Sequence, residues 1–169
     1  MASAFPSDVS PVARPHRTEH HVTQRWVGND GTGTANRDFR RDGQLVADDR
    51  PAIPTGPTPA HHGAPGNWSP EDLLAGAVSQ CTMLWFLHLC QRNSVVVSSY
   101  IDHATANLTV EGSRGALSEI ALDVSVSIAA GDEDLVRSLF EKANELCYVA
   151  RSLTTSVVHQ LRIERTDAV

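Results

Sequence analysis

The run "SQCTMLWFLHLC", residues 79–90, is the least polar stretch of the chain and constrains the fold most. It continues a segment with a clear helix start. Ser69 suits the N-cap, Pro70 the first helical position, and Asp72 the acid of a capping box. Glu71 and Asp72 add negative charge in the first turn, where the helix dipole favours it. The spacing predicts a helix from Pro70 to about Asn93, apolar nearly all round in its second half and therefore buried on most sides. A chain of 169 residues has little material to surround such a helix. Two of them packed across a two-fold axis would bury it, so a dimer is expected.

Around this helix the pattern is strand-like. "HHVTQRWVGNDGTG" alternates through Val22, Gln24 and Trp26 and ends in a turn at Asn29-Asp30-Gly31. "ANRDFRRDGQLVAD" supplies a hairpin partner, with Asp42-Gly43 as a second turn signal. Between Arg50 and Gly66 fall five of the nine prolines, an irregular segment of the kind that often carries function. "ATANLTVE" leads to a Gly112–Gly115 turn. "LSEIALDVSVSI" then sets Ile120, Leu122, Val124, Val126 and Ile128 on one face, as a half-buried antiparallel strand does. Gly131-Asp132 opens a second, amphipathic helix with Cys147 on its apolar side. "YVARSLTTS" suggests a short further helix and "VVHQLRIE" a last strand. The class is α+β, with residues 1–18 as a disordered tail and 19–169 as one domain.

Composition removes several functions. The formal net charge of −6 with scattered cations argues against nucleic acid, whose phosphates need clustered Lys and Arg. The stretch from Leu73 to Cys90 is long enough to raise a membrane span. It carries Gly76, Ser79, Gln80, Thr82 and His88, without a second span or a flanking cationic cluster. The N-terminus has Pro6, Pro11 and Pro15 and no apolar core of a signal peptide. A cytoplasmic protein with reduced thiols is expected. The three cysteines form no zinc spacing, and His20-His21 and His61-His62 sit neither at i, i+4 spacing nor by an acid cluster. No metal or other cofactor is expected.

Cys81 and Cys147 each admit two readings. Both suit small buried hydrophobes, as free cysteines often are, and Cys90 suits that reading best. Both also suit a redox pair, in which a thiolate is oxidised to a sulfenic acid and a second thiol condenses with it. That chemistry needs a lowered thiol pKa at the attacking residue. Cys81 is about the twelfth residue of its helix, too far along for the helix N-terminus to help. His88, seven residues on, lies on nearly the same helix face and suits a hydrogen-bonding group at a dimer interface.

The segment "NWSPEDLLAGAVSQC" resembles the N-P-E-E-L-L-A-A-A-x-x-x-C segment of the OsmC/Ohr superfamily, bacterial thiol peroxidases that reduce organic hydroperoxides. "FEKANELCYVARSL" resembles that family's second cysteine segment, A-x-x-x-C-P-[VI]-S-x-x-L. "W-x-G-N-x-G-x-G-T", starting at Trp26, also matches, and the resemblance spans roughly residues 20–164. It implies an OsmC-like fold of antiparallel sheets with two long central helices, an intertwined homodimer, and sites at its interface. It implies that Cys81 is the peroxidatic and Cys147 the resolving cysteine. It further implies that Glu71 is the acid that pairs with a catalytic arginine, and that a small or lipoyl-type dithiol is the reductant. Glu71 and Cys81 are about 15 Å apart along one helix, so Glu71 does not reach its own Cys81 and would reach the partner chain's site if the two helices pack antiparallel.

The sequence departs from that pattern in places. The segment "PTPAHHGAPGNWSPE" holds no arginine, where OsmC members carry theirs; His62 is the nearest match in position. Ohr members take theirs from the N-terminal strand region, where Arg37, Arg40 and Arg41 stand here, with Arg41 the first choice. A histidine as the cation would make activity depend on pH near neutrality. The family's C-P is Cys147-Tyr148. A non-catalytic binding module of the same fold, for an apolar or thiol-reactive ligand, is the alternative. A Cys81–His88 hydrolase would lack an oxyanion motif and leave Cys147 unexplained.

Overall fold

The computed structural model describes residues 17–35 and 37–166. Sixteen residues of the expected tail lie outside the described residues; Arg17 and Thr18 are exposed.

Two three-stranded sheets organise the described residues. The first is a meander of β1 (Thr23–Trp26), β2 (Gly43–Val46) and β3 (Ile53–Thr55), all antiparallel. The β1–β2 connection turns where Asn29 does: its Oδ1 accepts from the amides of Gly31 and Gly33, both at 2.9 Å. Asp42-Gly43, read as a second turn, is instead ladder. The Asp42 carbonyl accepts from Val27 N–H at 2.9 Å, and Gly43 pairs with both Trp26 and Thr55. Glycine serves there because a Cβ would approach the Thr55 hydroxyl to 2.8 Å. Asp42 is buried, and its carboxylate takes Arg40 Nε at 2.7 Å and Asn67 Nδ2 at 2.8 Å. The proline-rich segment contains β3 and a single 3-10 turn, Pro59–His61.

Helix α1 runs Pro70–Arg92. Ser69 and Asp72 form the reciprocal capping box, with Asp72 N–H to Ser69 Oγ at 3.1 Å and Ser69 N–H to Asp72 Oδ2 at 2.9 Å. Asn93 is the C-cap. The second sheet has the order β4 (Val96–Glu111), β5 (Arg114–Ala130), β6 (Ser156–Arg165). The β4–β5 hairpin turns at Gly112, whose φ of 62° suits glycine. On β5, Ile120, Leu122, Val124, Val126 and Ile128 are all buried, and the residues between them are half-buried. The alternation in the sequence is thus the core face of the central strand.

Helix α2 spans Glu133–Leu146, and Asp132 caps it through Leu135 N–H at 3.0 Å. It carries the chain across to β6, so β6 pairs with β5 parallel rather than antiparallel. A helical crossover is what a parallel neighbour requires. Short α3, Tyr148–Arg151, intervenes. Phe86 of α1, Phe140 of α2 and the β5 face meet in the core, the two rings edge-to-face at 5.4 Å.

The expectation that α1 is buried on most sides fails for a single chain. Ala75, Val78, Thr82, Phe86 and Cys90 face the core, while Leu84 stays 58% exposed and Leu87 36%. By length and composition α1 could cross a membrane; here it lies against β4 and α2.

Candidate active site

Cys81 occupies the middle of α1, one residue before buried Thr82. Its thiol is half-buried and opens to a cavity of about 650 Å³ between α1 and α3. Leu84, Trp85, Tyr148 and Val149 supply much of the apolar wall. Trp85 meets Tyr148 edge-to-face at 5.5 Å and His88 at 6.0 Å.

Cys147 is not on the apolar face of α2. It follows the last residue of α2, with φ −62° and ψ 108°, and forms the N-cap of α3. A helix cannot continue through that extended conformation. The Cys147 thiol is fully buried. Its Sγ accepts from Ala150 N–H at 3.4 Å and donates to the Val78 carbonyl at 3.8 Å. Val78 lies one turn before Cys81, so this contact brings Cys147 to the stretch of α1 that carries Cys81. The Cys147 thiol neighbours that of Cys81. Both are free thiols, as is Cys90.

Burial raises the Cys81 pKa above its ordinary value. The Val149 amide opposes this, the neighbouring Cys147 thiol reinforces it, and the Tyr148 amide opposes it again. Burial alone pushes Cys90 to about 11, which leaves it a core thiol.

The other expected residues lie elsewhere in a single chain. Glu71 lines a second cavity, of about 690 Å³, between α1 and β4, together with Ser79 and Asp102. Its Oε2 is buried without a hydrogen-bond partner, as is Asp102 Oδ1. The other Asp102 oxygen accepts from Ser79 Oγ at 2.5 Å, and burial raises the Asp102 pKa despite that bond. Arg41 donates to the His61 carbonyl and lines a third cavity with Arg37, Arg40 and His62. Arg40 is paired with Asp42. One chain therefore unites Cys81 with Cys147 and keeps Glu71 and the arginines apart from them.

Sequence reasoning missed four contributors. His20 lines the Cys81 cavity, and Asp102 joins Glu71. Asp102 had a signal: on β4 it shares parity with half-buried Tyr100 and Ala104. The amides of Tyr148 and Val149 had none, since backbone donors leave no mark in residue type.

Solved structures share this architecture. An OsmC-like protein of unknown function from Vibrio cholerae superposes with a TM-score of 0.78 at 23% identity, over 86% of this chain and 100% of that one. An organic hydroperoxide resistance protein OsmC from Legionella pneumophila gives 0.61 at 15%, over 88% and 99%. The organic hydroperoxide resistance protein OhrB of Bacillus subtilis gives 0.56 at 19%, over 85% and 96%. At these identities the likeness defines the fold. No curated protein matches the chain. The model of the OsmC-like protein family matches residues 62–162, and the chain belongs to that family.

Proposed function

We propose that the protein is a cysteine-based peroxidase for organic hydroperoxides. The observation that carries this reading is that the buried Cys147 thiol contacts the Val78 carbonyl one turn before Cys81, whose own thiol opens to an apolar cavity. The Cys81 thiolate attacks the distal peroxide oxygen. The O–O bond breaks, the alkoxide leaves and takes a proton, and Cys81 becomes a sulfenic acid. The Cys147 thiol then attacks that sulfur, water leaves, and a Cys81–Cys147 disulfide forms. An external dithiol, small or lipoyl-type, reduces the disulfide by exchange. Leu84, Trp85 and Val149 favour an organic group over hydrogen peroxide.

The reading includes a cytoplasmic homodimer. Exposed Leu84 and Leu87 give α1 an apolar face that a second α1 would cover. Arg41 would reach the site from the assembled dimer. Glu71, with its unpartnered oxygen, would orient it.

One observation favours a second reading, a binding module for an apolar or thiol-reactive ligand. Among the described residues, no arginine or lysine lines the Cys81 cavity. One experiment separates the two. Reduced protein is mixed with stoichiometric cumene hydroperoxide and its intact mass is taken. The peroxidase loses two hydrogens per chain, and Cys147→Ser holds a sulfenate that dimedone traps. Unchanged masses after minutes would leave the binding module standing.

A further inference from the structure

Helix α1 lines the Cys81 cavity with Ala77, Gln80, Cys81, Leu84, Trp85 and His88. These positions fall on one helix face, over about 16 Å. Polarity is uneven along that face. Gln80 and Cys81 stand towards one end, Leu84 and Trp85 make an apolar middle, and His88 stands at the other end. His88 is seven residues beyond Cys81, about 10 Å along the axis.

The polar groups of this cavity share one character. The Trp85 ring meets the His88 ring edge-to-face at 6.0 Å, so the imidazole has a neighbour on the cavity wall. Among the described residues, no hydrogen bond or ion pair engages its nitrogens. His20, from the segment before β1, lines the same cavity; its Nε2 meets Thr18 Oγ1 at 3.2 Å, which leaves Nδ1. An imidazole donates one N–H when neutral and two when charged. Among the described residues, no aspartate or glutamate lines this cavity, although the chain has a formal net charge of −6. The second cavity on α1 holds Glu71, Asp72 and Asp102 instead. The two cavities of α1 therefore differ in electrostatic character. One repels an anion, and the other offers it donors without a fixed negative charge.

We infer that the Cys81 cavity takes an amphipathic monocarboxylate. Its apolar body lies along Leu84 and Trp85, its carboxylate is received by the imidazoles of His88 and His20, and its other end stands at the Cys81 thiol. A volume of about 650 Å³ holds such a molecule. For the peroxidase, the substrate is then an organic hydroperoxide that carries a carboxylate away from its O–O bond.

The inference rests on the Cys81 cavity being the ligand site proposed above, but its test needs no peroxide. 4-Isopropylbenzoate, 4-isopropylbenzamide and 4-isopropylbenzylammonium share an apolar body and differ in charge. Each is added to reduced protein at pH 7, and alkylation of Cys81 by iodoacetamide is followed by peptide mass. The carboxylate is expected to halve the rate at about tenfold lower concentration than the amide, the scale of one hydrogen bond to a charged group. The ammonium compound is expected to protect least. Equal protection by the three, or none by any, overturns the inference. A carboxylate preference that persists undiminished in the His20→Ala, His88→Ala double variant overturns it too; both side chains are exposed, so neither change empties the core. The second measurement uses the wild type alone. On titration with 4-isopropylbenzoate, the imidazole proton resonances of His20 and His88 should move, and those of His61 and His159 should stay. A titration that leaves both His20 and His88 in place overturns the inference as well. A protein that prefers the carboxylate but leaves cumene hydroperoxide intact would count against the peroxidase and not against the carboxylate site.

Discussion

Cys147 donates to the carbonyl of Val78 at 3.8 Å, one turn ahead of Cys81 on the same helix. That bond holds the Cys147 thiol against the helix that carries Cys81, and the Ala150 amide secures it from the other side. Cys147 is therefore both a thiol and a helix cap.

The two roles separate by substitution. Serine retains a capping oxygen, alanine does not, and loss of a cap costs about 1 kcal/mol. Urea unfolding should show Cys147→Ala less stable than Cys147→Ser by roughly that amount. Both should fail to form the disulfide.

Phe86 is fully buried and packs edge-to-face on Phe140 at 5.4 Å. Phe86→Ala should cost about 3–5 kcal/mol by the same unfolding measurement, through lost burial and an unfilled cavity. A cost under about 1 kcal/mol would mean that the α1–α2 interface collapses freely.

Ser69 is buried and supplies half of the α1 capping box. Ser69→Ala should cost about 0.5–2 kcal/mol, and Ser69→Thr, which retains the hydroxyl that donates to Asp72 Oδ2 at 2.8 Å and accepts from its amide, should cost less. Thermal unfolding by circular dichroism reads both.

Cys90 gives a pH prediction. Its thiol is pushed from 9.0 to about 11 by burial. Below pH 9 it is protonated whether the chain is folded or not, and adds no pH dependence. Between 9 and about 11 the unfolded chain releases the proton and the folded chain retains it, so stability falls as pH rises. Cys90→Ala should flatten that part of the stability profile. In the native protein at pH 8, Ellman's reagent should leave Cys90 unmodified.

Leu84 is 58% exposed on the outer face of α1. If a second chain covers it, Leu84→Glu should shift sedimentation from dimer towards monomer at micromolar concentration. Unaltered sedimentation would place the contact on another face.

The legible parts of this fold are those set by local chemistry. Ser69, Pro70 and Asp72 mark the start of α1 through hydrogen bonds within four residues. The β5 core face repeats with the period of its pleat. The direction of β6 was less legible, because it depends on the path of α2 rather than on any residue in β6. Asp42-Gly43 misled because the glycine answers to two neighbouring strands, not to a bend. At the site, Cys147 was read as one more apolar residue of α2, since helical spacing cannot show that the helix stops one residue earlier. The family likeness paired it with Cys81, which no spacing within α2 implies. Glu71 and Arg41 lie apart from Cys81 in one chain, and the pattern of one chain carries no coordinates for a second.

The parallel pairing of β6 has a consequence for how the chain assembles. The β4–β5 hairpin closes across the two residues between Glu111 and Arg114, whereas Glu119 meets Ser156 only after 37 further residues. Closing the longer loop costs more entropy and rewards it later. On a ribosome, α1, the hairpin and α2 would emerge with one flank of β5 still bare. That flank is a strand edge open to any other extended chain until Arg165 is out. The interval before the last strand arrives is when this protein is most exposed to aggregation, and it would be the window for a chaperone to hold it.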